Sequence, residues 1–145
     1  MTANIDQRII QLLQENAYQS SEALAKRLGV SSSTTRRRIK TLIQKEIIRI
    51  VARPDPTKIG YAITAIIAFD IDNGNLQPAL ESLNNRPDIH WLAAVSGRFD
   101  AMASVWATST DELFKKLDEI GKIEGIKNSE TFICLHIDKG YYTPL

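Results

Sequence analysis

The sequence holds a single cysteine, Cys134, among its 145 residues. One cysteine excludes an intramolecular disulfide and a cysteine-based zinc site, and it favours a reducing setting. No apolar run approaches the roughly 18 residues that a membrane-spanning helix needs, and the N-terminus lacks the basic start and apolar core of a signal peptide. We therefore expect a cytoplasmic protein that has no membrane partner, no metal site and no cofactor.

An excess of charge of one sign is also missing, because the net charge is only +1. Its distribution is uneven, however. Residues 1–60 carry eleven Lys or Arg and five Asp or Glu, a net charge of +6, whereas residues 61–145 carry a net charge of −5. A basic half joined to an acidic half predicts that only the first half binds a polyanion such as DNA.

The first half has the apolar spacing of three short helices. The pattern predicts a first helix over 5–16 and a second that begins at Ser20 or Ser21 and ends at Gly29. Ser31 is suited to cap the third helix, because its hydroxyl accepts a free backbone N–H. Two short helices joined by a tight turn that holds a glycine are typical of a helix-turn-helix.

The third predicted helix has a polar face opposite the core. At 100° per residue, Ile39 points to the core and a surface rich in hydroxyls and arginine points away. Such side chains hydrogen-bond phosphates and base edges. The alternative is a merely solvated charged face, and of the three arginines Arg36 has the phase nearest the core. The predicted DNA contacts are Ser31, Ser33, Thr34, Arg36, Arg37, Arg38, Lys40 and Thr41.

A segment between the two halves predicts a strand and then a turn. Residues 47–53 alternate and are rich in β-branched side chains, as strands are. Pro54-Asp55-Pro56 predicts a rigid turn. We therefore divide the chain into a DNA-binding domain (1–54), a linker (55–61) and a second domain (62–145).

The second half predicts the element order βαββαβ. This order implies an α+β sandwich of the ferredoxin-like kind, in which both helices cover one face of a four-stranded antiparallel sheet. The predicted strands are 62–71, 89–95, 99–107 and 126–138; the first helix carries Leu76, Ala79, Leu80 and Leu83, and the second carries Leu113, Phe114, Leu117 and Ile120.

Both faces of the predicted sheet are apolar, although the uncovered face of a monomer should be polar. On the second strand Trp91 and Leu92 point to opposite faces, and on the third Met102 and Trp106 oppose Val105. A sheet with two apolar faces needs a second cover. We infer a homodimer through the open face; the alternative is that the N-terminal domain supplies the cover.

Short segments spread along the chain carry a family resemblance through their order and spacing. With them the chain resembles the Lrp/AsnC family, the leucine-responsive or feast/famine regulators of bacteria and archaea, over essentially its whole length. The segments are Ile5-Asp6, Leu24-Ala25, Leu28-Gly29-Val30-Ser31, Arg37-Arg38-Ile39-Lys40, Asp55-Pro56, Ile59-Gly60, Val95-Ser96-Gly97-Arg98-Phe99-Asp100, Ile123-Glu124-Gly125-Ile126, Ser129 and Thr131.

The resemblance implies a winged helix-turn-helix domain joined to a ferredoxin-like domain that binds a ligand, typically an amino acid. It also implies dimers that assemble into octamers or discs, with the effector pocket between dimers. The implied effector residues are Gly97, Arg98, Asp100, Ser129 and Thr131. Backbone N–H groups at Gly97 could face an α-carboxylate and Asp100 an α-ammonium, but Asp100 could equally be a turn-capping carboxylate.

Three positions depart from the family pattern. Arg98 stands where the family often has an acidic residue, and it could bind an anionic effector or an acidic neighbour. Glu46 stands where glycine usually follows the recognition helix, which predicts a differently shaped helix end. Arg36 replaces a residue that is commonly apolar and adds charge near DNA.

Three functions differ in what they require of these residues. A sequence-specific transcription regulator that responds to a small effector would bind a near-palindromic DNA site. An architectural protein would wrap DNA and ignore small molecules. An enzyme would have only Asp100, His90 and His136 for acid–base work, and no motif links them. We expect the regulator, with the architectural role as the alternative and no catalysis.

Overall fold

Three helices build the first of two compact units in the computed structural model, which describes residues 2–138 and side chains from Ile5 onward. They are α1 (Thr2–Glu15), α2 (Ser21–Leu28) and α3 (Ser32–Gln44). Their apolar stripes meet in one core, because residues three and four positions apart share a helix face. The buried core residues are Ile9, Leu12, Leu24, Leu28 and Leu42.

Local hydrogen bonds cap the starts of both α2 and α3. The Ser20 hydroxyl accepts the N–H of Ala23 at 3.1 Å, and the Ser31 hydroxyl accepts the N–H of Thr34 at 3.2 Å. Gly29 follows α2 with φ of 69°, a left-handed conformation that glycine adopts without steric cost. The predicted helix-turn-helix and both its caps are therefore confirmed.

The strand predicted over residues 47–53 is wrong for the described chain, where this stretch is irregular. Its alternating side chains suit a strand, but a strand also needs a neighbouring backbone for its ladder. Ile47, Ile50 and Val51 are each more than half exposed. The pattern therefore marks a segment whose apolar side chains lack full cover within this chain.

The second unit comprises Pro54–Asp138, so the chain divides between Arg53 and Pro54. The residues predicted as a linker hold a short 3₁₀ helix, Pro56–Ile59, in this unit. Its start is capped by the Asp55 carboxylate, which accepts the N–H of Thr57 at 3.0 Å. The linker is therefore locally structured.

A four-stranded antiparallel sheet with two helices forms the rest of this unit. Numbered along the chain, the strands lie in the sheet in the order second, third, first, fourth, which confirms the ferredoxin-like fold. The described part of the third and fourth strands is shorter than predicted, because Phe99 and Asp100 belong to a bend and the ladder of the fourth strand stops at Ile133. The elements are β1 (Ile63–Ile71), α4 (Leu76–Asn84), β2 (Ile89–Ala94), β3 (Ala101–Ala107), α5 (Thr110–Ile120) and β4 (Ile126–Ile133).

The core of this unit lies between the helices and one face of the sheet. It contains every second residue of β1 and β3, as predicted for one buried face. Phe114 is a correction, because its side chain is 72% exposed. It follows the buried Leu113 by one residue, which is a rotation of 100° around the helix. No helix among residues 2–138 is long and apolar enough to cross a membrane.

Candidate functional site

The outer face of α3 is the first candidate site. Thr35 and Leu42 of this helix are buried against the rest of the first unit, so the opposite face is turned to solvent. Among the predicted DNA contacts, Thr34 and Arg38 are half-buried and the rest are exposed; the exposed ones are Ser31, Ser33, Arg36, Arg37, Lys40 and Thr41. The predicted polar face therefore exists, but not all of its members are equally available.

Hydroxyl groups cluster at the start of α3. The Ser31 hydroxyl lies 2.8 Å from Thr34 Oγ1 and 3.0 Å from the Ser33 hydroxyl, besides accepting the N–H of Thr34. Ser31 is therefore engaged as a helix cap. Ser33 lies exposed beside it, where its hydroxyl is able to rotate towards an incoming acceptor.

Arg36 forms an exposed ion pair with α2. Its Nη2 lies 3.1 Å from Oε1 of Glu22, and about two thirds of each side chain is accessible. Hydrogen bonds from the Glu22 backbone and from Ser20 lower the pKa of the Glu22 carboxyl, and Arg36 lowers it further. Of the three arginines Arg36 has the phase nearest the core, but its long side chain carries the guanidinium out to solvent.

Arg38 is the arginine that turns inward. Its Nη1 lies 2.8 Å from Oδ1 of Asp6 on α1, and only 21% of its side chain is exposed. Its Nε is buried and has no hydrogen-bond partner among the described residues. Arg38 therefore contacts α1, whereas it was predicted to contact DNA.

Arg37, Thr41 and Lys45 line one side of a cleft of about 240 Å³ next to Asp6. They are four residues apart, with Arg37 and Thr41 on α3 and Lys45 at its C-cap, so they lie on one ridge of the helix. The Thr41 hydroxyl donates to the carbonyl oxygen of Arg37 at 3.0 Å. Two cations and a hydroxyl along a ridge suit a row of phosphates. Lys45 was missed, although its spacing from Arg37 was visible in the sequence.

The end of α3 retains a glycine-like backbone at Glu46. Its φ of 55° lies in the left-handed region, where it is the only non-glycine residue of the described chain. The departure from glycine was expected to change the shape of this helix end. The left-handed conformation is present nonetheless, and it is carried by a residue whose Cβ makes it costly.

The second candidate site surrounds the turn between β2 and β3. Asp100 anchors this turn to β1, because its N–H donates to the carbonyl oxygen of Phe69 at 2.9 Å and its Oδ2 accepts the N–H of Ile71 at 2.8 Å. The carboxylate therefore binds an N–H of β1, whereas the turn-capping interpretation had it hold the turn itself. Gly97 has φ of 140° and is exposed.

Arg98 binds an acidic neighbour. Its guanidinium forms an ion pair with Glu130 of β4 and lies 5.0 Å from the centre of the Phe99 ring. The sequence left open an anionic effector or an acidic neighbour as the partner of Arg98, and in the structure the acidic neighbour binds it. Glu130 was not predicted as a site residue, and only the tertiary structure brings it to Arg98.

Ser129 and Thr131 lie on β4, an edge strand of the sheet. Ser129 pairs with Phe69, the residue whose carbonyl oxygen binds Asp100, and Thr131 pairs with Ile67 two residues along β1. Both hydroxyl side chains are exposed. The structure therefore brings Asp100 and Ser129 to one end of the sheet, with Thr131 further along the same strand face.

The sheet face opposite the helices has an apolar centre. Ala68 is fully buried and Ser104 is 6% exposed, while the larger Met102 and Trp106 around them are half-buried. The hydroxyl oxygen of Ser104 is buried without a hydrogen-bond partner in the described chain. The predicted two-sided apolar sheet is thus present.

The two histidines occupy unrelated settings. His90 lies at an irregularity of β2 and stacks on Trp106 with 3.7 Å between ring centres. Burial and then the nearby Lys116 charge lower the pKa of His90, against a weaker effect of Asp88. His136 lies 3.3 Å from the Asp138 carboxylate. Neither arrangement resembles an acid–base pair aimed at a substrate.

Two family models match the chain. One, described as winged helix-turn-helix DNA-binding, matches residues 3–49, and the other, described as the Lrp/AsnC ligand binding domain, matches residues 64–142. Each match covers one of the two candidate sites.

Similar proteins match over nearly their whole length. An uncharacterized HTH-type transcriptional regulator of Pyrococcus furiosus is 37% identical, over 98% of this chain and 97% of the relative. The structure of Escherichia coli AsnC is 25% identical with a TM-score of 0.86, over 98% of this chain and 97% of that one. A regulator of Neisseria meningitidis in complex with L-Met is 23% identical with a TM-score of 0.86, over 97% and 94%.

Proposed function

The chain belongs to the Lrp/AsnC family of DNA-binding transcription regulators, and we propose that it binds a specific DNA sequence and releases or retains it in response to an amino acid. The exposed ridge of Arg37, Thr41 and Lys45 on α3 carries the DNA-binding part of this proposal. We place the protein in the cytoplasm, with DNA and an effector as partners, and assign it no catalytic step.

DNA contact by α3 follows from charge and access. No ion pair involves Arg37 or Lys40 among residues 2–138, whereas Arg36 is paired with Glu22. A guanidinium without a protein partner is free to bind a phosphate or the O6 and N7 atoms of guanine. We therefore place Arg37 at the centre of the interface, with Lys40, Thr41 and Ser33 around it.

A homodimer formed through the open sheet face would complete the burial of Met102 and Trp106, which are half-buried there. The buried Ser104 hydroxyl lies on this face next to Met102 and Trp91 in the strand register. Two-fold symmetry would then present two copies of α3 to two half-sites, about one DNA turn or a multiple of it apart. We expect a near-palindromic target; assembly of dimers into octamers is compatible with this arrangement.

The effector site is proposed at the end of the sheet that holds Gly97, Arg98, Asp100, Ser129 and Thr131. Backbone N–H groups at the Gly97 turn suit an α-carboxylate, and the Ser129 and Thr131 hydroxyls provide further hydrogen bonds. The neighbour crystallised with L-Met supports an amino acid as the class of ligand. Because Asp100 and Arg98 already have partners, the effector would have to share or displace them.

Binding of the purified protein to the DNA upstream of its own gene tests this proposal. Fluorescence anisotropy would be followed across salt concentrations, with and without each common amino acid. We expect specific binding whose affinity falls steeply with salt and which one amino acid shifts. Weak binding that modest salt abolishes, irrespective of sequence, would contradict specific DNA recognition.

An architectural role is the second candidate, and the engaged state of Arg98 and Asp100 favours it. Such a protein would bind DNA but not amino acids. A ligand that binds the native state must raise the melting temperature. If no amino acid changes either the melting temperature or DNA binding, the architectural role is the better account.

A further inference from the structure

Arg38 lies in the helix that contacts DNA but faces away from the exposed ridge. We infer that Arg38 is a positioning residue: its ion pair with Asp6 of α1 sets the rotation of α3 about its own axis and thereby aims Arg37 and Thr41 at DNA. This inference rests on the DNA-binding role proposed above, and it gives α1 a part in that role.

The Arg38 side chain is already held by contacts within the protein. Its Nη1 lies 2.8 Å from the Asp6 carboxylate, and its exposed fraction is 21%, against 67% for the neighbouring Arg36. The buried Nε atom has neither a hydrogen-bond partner in the described chain nor appreciable solvent contact. To reach a phosphate, this guanidinium would have to leave a half-buried carboxylate unpaired, which is unfavourable.

Among the described residues, no second ion pair or side-chain hydrogen bond joins α1 to α3. Their other contact includes aliphatic side chains such as Ile9, Leu12 and Leu42, whose burial is favourable without being directional. A charge-assisted hydrogen bond is short and directional. Because Arg37 precedes Arg38 by one residue, any rotation of α3 that breaks the ion pair turns Arg37 by the same angle.

The same ion pair decides the electrostatic effect of Asp6. Asp6 lines the cleft beside Arg37 and Lys45, where an unpaired carboxylate would repel DNA phosphates. Removing this negative charge should therefore strengthen DNA binding if charge alone matters. It should weaken specific binding if the ion pair positions α3. The two accounts predict changes of opposite sign.

Asp6→Asn separates these accounts, with Glu15→Gln as the matched control. Glu15 is also an α1 carboxylate in an ion pair, but its partner is Arg27, on α2 and not α3. We expect Asp6→Asn to weaken binding to the wild-type target at least about fivefold and to leave binding to a scrambled duplex unchanged or stronger, while Glu15→Gln loses no specific binding. Anisotropy titrations well below each melting temperature measure both; unchanged or tighter specific binding by Asp6→Asn overturns the inference.

Salt dependence and a charge swap provide a second, independent test. Each lost phosphate contact lowers the slope of log affinity against log salt by about 0.9. We expect Arg37→Met to lower this slope and Arg38→Met to leave it unchanged. Asp6→Arg combined with Arg38→Asp should recover part of the specific binding that Arg38→Asp alone loses.

The arginine variants and the charge swap test the positioning role of Arg38 even if Asp6→Asn does not fold. An Arg38→Met slope that falls as far as that of Arg37→Met, or a charge swap without recovery, overturns the inference. Wild-type protein that distinguishes no duplex from a scrambled one overturns the proposed function, and this inference with it.

Discussion

Single residues of α3 differ in their role according to the partner that each one already has. Arg36 is paired with Glu22, Arg38 with Asp6, and Arg37 with no carboxylate among the described residues. A cation without a protein partner loses least when it binds a phosphate, because no existing contact has to break. The three consecutive arginines therefore differ in how readily they bind DNA.

We expect Arg37→Ala to weaken specific DNA binding at least about tenfold, since a hydrogen bond to a charged group such as a phosphate contributes about 1.5–3 kcal/mol. Anisotropy at physiological salt measures the change. Lys115→Ala is the control, because it removes one exposed positive charge from α5. An Arg37→Ala variant with wild-type affinity would remove Arg37 from the interface.

Glu112 is expected to make the stability of the second unit sensitive to acid. Its carboxylate binds Lys116 and the hydroxyl and N–H of Thr108, and these contacts lower the pKa of Glu112 from 4.5 to about 2. Because the folded pKa is below the unfolded one, the stabilisation is complete above pH 4.5 and is lost as the pH falls towards 2.

Melting temperatures of wild type and Glu112→Gln between pH 2 and 6 test this expectation. The advantage of the wild type should be present at pH 6 and should shrink below pH 4.5. Glu81→Gln, which removes an exposed carboxylate from α4, controls for the loss of one charge. A difference that does not vary with pH would contradict the assigned role of Glu112.

At the scale of elements, the helix ends decide how the first unit is assembled. Gly29 and Glu46 both adopt left-handed conformations, one after α2 and the other after α3. Glycine does so without steric cost, whereas a residue with a Cβ carries a penalty of about 1 kcal/mol or more. The strain at Glu46 is a local cost that the surrounding helix packing has to offset.

Glu46→Gly should therefore raise the free energy of unfolding by about 1 kcal/mol, after allowance for the entropy of glycine in the unfolded chain. The ion pair lost with Glu46, to Arg49 at 3.6 Å, is exposed and contributes little. Urea unfolding measures the change, with Glu46→Ala as the control that removes the carboxylate but keeps the Cβ. Equal stabilities of the two variants would show that the backbone of Glu46 is not strained.

The whole molecule presents an apolar sheet face that is only partly covered in the described residues. The face combines the buried small residues Ala68 and Ser104 with the half-buried large residues Met102 and Trp106. A second copy of the sheet would complete the burial of the large side chains, which is the main favourable term in association. The proposed dimer therefore depends on one sheet face of the second unit.

Met102→Glu should dissociate this dimer, because a carboxylate buried between two apolar faces lacks a partner. Light scattering after size-exclusion chromatography measures the mass. Phe114→Glu, at a 72% exposed position on α5, is the matched control and should leave the dimer intact. A Met102→Glu variant that remains dimeric would point to another interface.

The sequence by itself determined the elements and their faces. Helical and alternating periods, caps and turns depend on residues close in the chain, so the helix-turn-helix, the βαββαβ order and the hydroxyl- and arginine-rich face of α3 were all predictable. The same local signals named Arg37 as a site residue, whereas Asp100 and Ser129 came from the resemblance to the Lrp/AsnC family. At Glu46 the family pattern indicated the departure from glycine but not the backbone conformation.

Only the tertiary structure decided which side chains meet. Asp6 is 32 residues from Arg38, as Arg98 is from Glu130, and no periodicity reports a contact over that separation. Within residues 2–138, the stretch 47–53 had a strand pattern but no partner backbone, and Phe114 had an apolar side chain but no covering surface. Strand pairing and burial depend on which residues lie opposite in space. A local sequence pattern therefore indicates a preferred structure, and tertiary packing determines whether that structure forms.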